Sequence, residues 1–144
     1  PNLVQVLQKN YTGIGTVDLV FTVADTGGTT EYRINEGVAN NTGIGWTGYH
    51  IELGYGIGSG FVSATPGGGL DFDSPDYNSP VTFGAVFPSH IVTELDIFAN
   101  GALPNTGFAG GIVFHLDVPD GLGEFTLRQS PIPFPEPAAC VMLL

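Results

Sequence analysis

Apolar and polar residues alternate with period two along most of this chain, the pattern of strands with one buried face and one wet face. Val17, Leu19, Phe21 and Val23 alternate with Asp18, Val20 and Thr22. The run 30–38 follows, with Tyr32 and Ile34 on one face and Glu31, Arg33 and Asn35 on the other. Asp25-Thr26-Gly27-Gly28 lies between these runs and predicts a hairpin. Tyr49, Ile51, Leu53 and Tyr55 then alternate with His50, Glu52 and Gly54. Further runs lie at 81–87, 95–98 and 112–118, with a short one around Phe125 and Leu127. With a first strand at 4–7, about eight strands are expected, at the spacing of a sandwich or barrel. No segment sustains a 3.6-residue period. The expected fold is all-β, an antiparallel β-sandwich of the immunoglobulin-like or jelly-roll sort spanning residues 1–130.

Composition sharpens this picture. The chain has 144 residues, enough for one domain with its own core. Its 22 Gly and 11 Pro fit many tight turns, and glycine at that density would undermine the helices of a bundle. Thr12-Gly13-Ile14-Gly15 and Thr42-Gly43-Ile44-Gly45 are identical tetrapeptides in unlike surroundings, so they read as two similar turns and not as a repeat. Residues 54–69 and the acidic segment 71–76 form the longest loop region, where function would sit.

Charge removes whole classes of partner. Fourteen acids face only Lys9, Arg33 and Arg128, for a net charge of −11. Such a field repels phosphate backbones and anionic membranes, which excludes nucleic acid, and it suits a soluble exported protein or one that binds cations. The single cysteine, Cys140, cannot close an internal disulfide. The opening PNLVQV lacks a basic n-region, as expected of either a mature chain whose leader is gone or a cytosolic one.

Candidate chemistry is sparse. Asp71, Asp73 and Asp76 in GLDFDSPD are a calcium candidate, because hard cations take several oxygens from a short loop. The spacing is not that of an EF-hand, and an exposed Asp/Pro turn explains the same residues. His50 and Glu52 share a strand face, and a zinc site would gather them with the distant His90 and His115, but nothing in the spacing says that these residues meet. Ser59 in GIGSG is not a nucleophile elbow, and Cys140 has no base near it in sequence. No enzyme is expected. Trp46, Tyr49 and Tyr77 are candidates for a sugar-stacking platform, although Tyr49 alternates with polar neighbours as a core residue does. Asn10-Tyr11-Thr12 and Asn40-Asn41-Thr42 fit the glycosylation sequon and read as turns.

The end of the chain changes character. Residues 131–137 place a proline at every second position, an extended linker, and 138–144 are uncharged and apolar. Seven such residues are too few to cross a bilayer and resemble the start of a longer span. Pro135-Glu136-Pro137 followed by this apolar run resembles the PEP-CTERM sorting signal of exported bacterial proteins. The resemblance covers about the last ten residues, and the rest of the family's helix and its basic end are absent. It implies a leader already removed, processing by an exosortase, and a secreted or surface location associated with exopolysaccharide matrix and biofilm. The expected function is then structural, a matrix protein or self-assembling fibre subunit. Its N-terminal run 3–7 would add to a neighbour's sheet edge. The alternative is an exopolysaccharide-binding module, assisted by calcium at the acidic loop.

Overall fold

The computed structural model describes residues 2–5, 8–72, 82–83, 93–98 and 103–135. Among them are eleven strands. They are β1 (Asn2–Gln5), β2 (Lys9–Tyr11), β3 (Val17–Thr22), β4 (Thr29–Asn40), β5 (Trp46–Tyr55), β6 (Val62–Ser63), β7 (Asp71–Phe72), β8 (Thr82–Phe83), β9 (Glu94–Phe98), β10 (Phe108–Pro119) and β11 (Glu124–Pro133). Among the described residues, helix is confined to two single 3-10 turns, at Gly58–Gly60 and Asp120–Leu122. No helix among the described residues is long and apolar enough to cross a membrane.

The strands form two sheets, and the all-β sandwich expected from the alternation is present. The first sheet runs β1-β4-β10-β7, with β2 continuing along the β4 edge that β1 occupies. The second runs β3-β11-β5-β9-β8, with β6 added to the end of β5. Most pairings are antiparallel, while β1 and β2 lie parallel to β4. Ile34, Val38, Phe72, Phe114 and Leu116 of the first sheet face Ile51, Leu53, Leu95, Ile97 and Leu127 of the second, all buried. Apart from Phe72, which lies in a segment expected to be loop, each of these positions carries the parity its strand's alternation assigns to the core.

Two expectations from local sequence are corrected. The segment Asp25–Gly28 does not close a hairpin, because β3 pairs with β11 in one sheet and β4 with β10 in the other. It is a crossover, held by the buried Asp120. That carboxylate accepts hydrogen bonds from the Thr26 hydroxyl, from the Thr26 N–H at 3.2 Å and from Thr30 Oγ1 at 2.7 Å. The Asp120 N–H in turn donates to the Gly28 carbonyl at 2.8 Å. The domain boundary at 130 is also too early. Strand β11 continues through Pro131, Ile132 and Pro133 beside β5, and the Phe134 N–H donates to the Gly45 carbonyl at 3.0 Å. Pairing of β3 with β11 stops at Gln129, so these prolines lie where the sheet has an edge, the place a strand tolerates a missing N–H.

The two TGIG segments are turns, as expected, and they sit side by side because β2 and β4 run parallel. The Asn41 N–H donates to the Tyr11 carbonyl at 2.8 Å, and Ile14 and Ile44 are both exposed. Asn40 is fully buried, and its side chain donates to the Ile44 and Leu103 carbonyls at 2.8 and 3.0 Å. Its Oδ1 accepts from the Thr42 N–H at 3.0 Å, an Asx turn.

Candidate functional site

Strand β2 brings Lys9 and Tyr11 inward, and around them a polar network joins the two sheets. The Lys9 ammonium lies 2.5 Å from Glu36 Oε2 on β4 and also donates to Gln129 Oε1 on β11. Gln129 Nε2 donates to Glu36 Oε1 at 2.7 Å, and the Tyr49 hydroxyl donates to Gln129 Oε1 at 3.1 Å. The Tyr11 and Tyr49 hydroxyls are 2.9 Å apart. Burial pulls the Lys9 ammonium below its ordinary pKa of 10.5, against the opposing pull of Glu36. Burial also pushes the Tyr11 phenol up to about 12 and the Tyr49 phenol higher still, so both stay neutral donors. The network ties the N-terminal segment into the interior, yet that segment joins the rest of the chain through residues 12–16, all exposed.

The sugar-platform expectation is corrected for two of its residues. Trp46 is 1% exposed and Tyr49 4%, so neither ring can offer a face to a ligand. They stack on each other at 6.2 Å, and Tyr11 meets both edge-on. Trp46 Nε1 donates to Thr42 Oγ1 at 3.1 Å. The cavity beside them, lined by Val38, Trp46, Tyr49, Ile97, Leu103 and Ile112, holds about 10 Å³, room for one water at most. Tyr77 lies outside the described residues.

The acidic candidates separate in the same way. Asp71 is a buried residue of β7, paired in register with Asp117 of β10, and not part of an open loop. Asp73 and Asp76 lie outside the described residues. Of the sorting motif, Pro135 is exposed at the end of the described chain, and Glu136 and Pro137 lie beyond it.

The outer face of the second sheet gathers a group that sequence reading found only in part. His50 and Glu52 project from β5, as their alternation requires. Register then sets Asp96 of β9 opposite His50, and Glu94 opposite Glu52. His50 Nδ1 is 2.6 Å from Asp96 Oδ1, and His50 Nε2 is 3.9 Å from Glu52 Oε2. Ligand atoms of His50, Glu52 and Glu94 all lie within 4.8 Å of one another. His115, considered with His50 for zinc, is instead on β10 of the other sheet, 2.7 Å from Glu31. His90 lies outside the described residues. The available signal for Glu94 and Asp96 was that Glu94-Leu95-Asp96 repeats the polar-apolar-polar pattern of His50-Ile51-Glu52.

Beside this group the Arg128 guanidinium holds Asp18 through two bonds, Nε to Oδ1 at 2.7 Å and Nη2 to Oδ2 at 2.9 Å. It also donates to the Gly58 carbonyl at 2.8 Å and stacks on Phe61 at 3.9 Å. The Arg128 hydrogen bonds hold the Asp18 carboxyl below its ordinary value. Comparison with protein-family models, with curated proteins and with solved structures yields no match to this chain.

Proposed function

We propose that this is a non-enzymatic structural protein of the bacterial exterior, secreted or held at the cell surface, whose subunits join into a matrix fibre. One observation carries the reading. Strands β1 and β2 lie parallel along the edge of β4 and place Lys9 against the buried Glu36, and the chain passes from them to β3 through the exposed segment 12–16. A segment attached in this way can fill the same edge on a neighbouring copy and make the same ladder and ion pair there. Passed from copy to copy, that contact is head-to-tail and does not close.

Other features support this reading. A net charge of −11 keeps unassembled chains apart in solution. The resemblance of Pro135-Glu136-Pro137 to a sorting signal supports export, with an exosortase as the processing partner. The lack of a recognisable nucleophile and base motif in the sequence supports a role without catalysis.

A disulfide across the β2–β4 register pair Asn10 and Ala39 tests the exchange. The variant N10C/A39C, with Cys140 replaced by Ser, is oxidised at neutral pH and examined on a non-reducing gel and by electron microscopy. Exchange between copies gives a ladder of covalent multimers and regular fibres. A single monomeric band from isolated particles overturns the proposal.

A further inference from the structure

We propose that His50, Glu52 and Glu94 form a binding site for one divalent transition-metal ion of the zinc class, on the outer face of the second sheet. This does not depend on the fibre reading. Three donor atoms, one imidazole nitrogen and two carboxylate oxygens, converge within 4.8 Å. In a tetrahedral site with bonds of about 2.0–2.2 Å, donor atoms lie roughly 3.3–3.6 Å apart. His50 Nε2 and Glu52 Oε2, now 3.9 Å apart, need close by only a fraction of an ångström. Glu94 is exposed, and its carboxylate already lies within 4.8 Å of the other two ligand atoms. The fourth position would be left to water.

The arrangement of the remaining polar atoms supports a metal over a chance gathering of charge. The far nitrogen of His50 is held by Asp96 at 2.6 Å, which directs the other nitrogen towards Glu52. The far oxygen of Glu52 accepts from the Ser63 hydroxyl, leaving Oε2 facing His50. Both near atoms are thus aimed at one point by partners on their far sides, the way metal-ligating histidines and carboxylates are oriented. Glu52 and Glu94 also face each other directly across adjacent strands, a like-charge pair that destabilises a sheet unless a cation lies between. Arg128, the cation in register with Glu52, attracts it electrostatically, but its hydrogen bonds go to Asp18 and the Gly58 carbonyl and its guanidinium stacks on Phe61, which leaves the space between Glu52 and Glu94 to another cation. One nitrogen and few oxygens suit zinc or its neighbours better than calcium, which takes six to eight oxygens.

The test is titration of the full chain with Zn²⁺ against a chromophoric chelator, paired with visible absorption of the Co²⁺ form. One equivalent is expected to bind. H50Q and E94Q should each weaken it at least tenfold, and D96N, which changes a positioning residue, by about 10–100-fold. Four-coordinate Co²⁺ bands should appear and be lost in H50Q. E94Q changes an exposed side chain, so its fold is expected to persist and is checked by tryptophan emission. Binding equal in the wild type, H50Q and E94Q, or a Co²⁺ spectrum unchanged by H50Q, would mean adventitious binding to the acidic surface and overturns the proposal. So does the absence of a bound equivalent.

Discussion

The Lys9 ammonium and the Glu36 carboxylate meet at 2.5 Å inside the sandwich, with the Glu36 side chain fully buried and that of Lys9 only 13% exposed. One of the chain's three Lys and Arg side chains is thus spent internally, on a strand at the edge of the first sheet. The pair makes the N-terminal segment part of the core's electrostatics as well as of its hydrogen bonding. Without Lys9, Glu36 keeps Gln129 Nε2 as a donor but loses its countercharge.

Replacing Lys9 by Met should therefore destabilise the domain by about 3–5 kcal/mol, the cost of a buried charge left without its partner. The double variant K9M/E36L should recover much of that loss, since removing both charges also removes their desolvation. Urea denaturation of the wild type, both single variants and the double variant measures the coupling. A K9M variant as stable as the wild type would contradict the buried pairing.

Acid should unfold the protein through the two hydrogen-bonded aspartates. Arg128 holds Asp18 below its ordinary value of 3.8, and Thr26 and Thr30 hold Asp120 below the same value. The unfolded chain takes up these protons near pH 3.8, while the folded chain resists until lower pH. Their contribution is complete above the ordinary carboxylate range and is lost as pH falls through the lowered values. D120N should melt lower than the wild type at pH 7, with a shallower decline of melting temperature between pH 4 and 2. Parallel curves for the two proteins would contradict this.

Trp46 is the sole tryptophan, and its burial makes it a reporter of the core. Its emission should be blue-shifted in the native state, unchanged by added polysaccharide, and red-shifted on unfolding. W46A should cost about 3–5 kcal/mol, since loss of a large ring leaves a cavity beside Tyr11 and Tyr49. Quenching of native emission by a small polar quencher as strong as in the unfolded chain would contradict the packing.

Gly54 on β5 has no room for a methyl group. A Cβ there would press on the Val62 carbonyl and the Phe61 ring, the segment that carries β6. G54A should cost about 1–3 kcal/mol and loosen β6, and with it Ser63 and its bond to Glu52. Thermal melts measure the first effect, and hydrogen exchange at residues 61–63 the second.

Alternation along the chain was sufficient to assign core faces. Ile34 and Val38, Tyr49, Ile51 and Leu53, and Phe114 and Leu116 are all buried, at the parity their strands imply. The same rule put His50 and Glu52 on one outer face. It also led to the expectation of an all-β sandwich, because burial of one strand face is a local property that a period-two pattern records directly.

Which strands would meet was not written locally. Asp25–Gly28 has the residues of a hairpin turn and serves as a crossover, because Asp120, distant in sequence, supplies the hydrogen bonds that hold it. Pro131 and Pro133 look like a linker and are strand residues, because β5 runs beside them while β3 has stopped pairing. Trp46 and Tyr49 have the chemistry of a sugar platform and fill the interior instead. Lys9 meets Glu36, and Glu94 meets Glu52, only through strand register. Pairing and register are choices among many non-local alternatives, decided by how whole faces, turns and buried charges fit together.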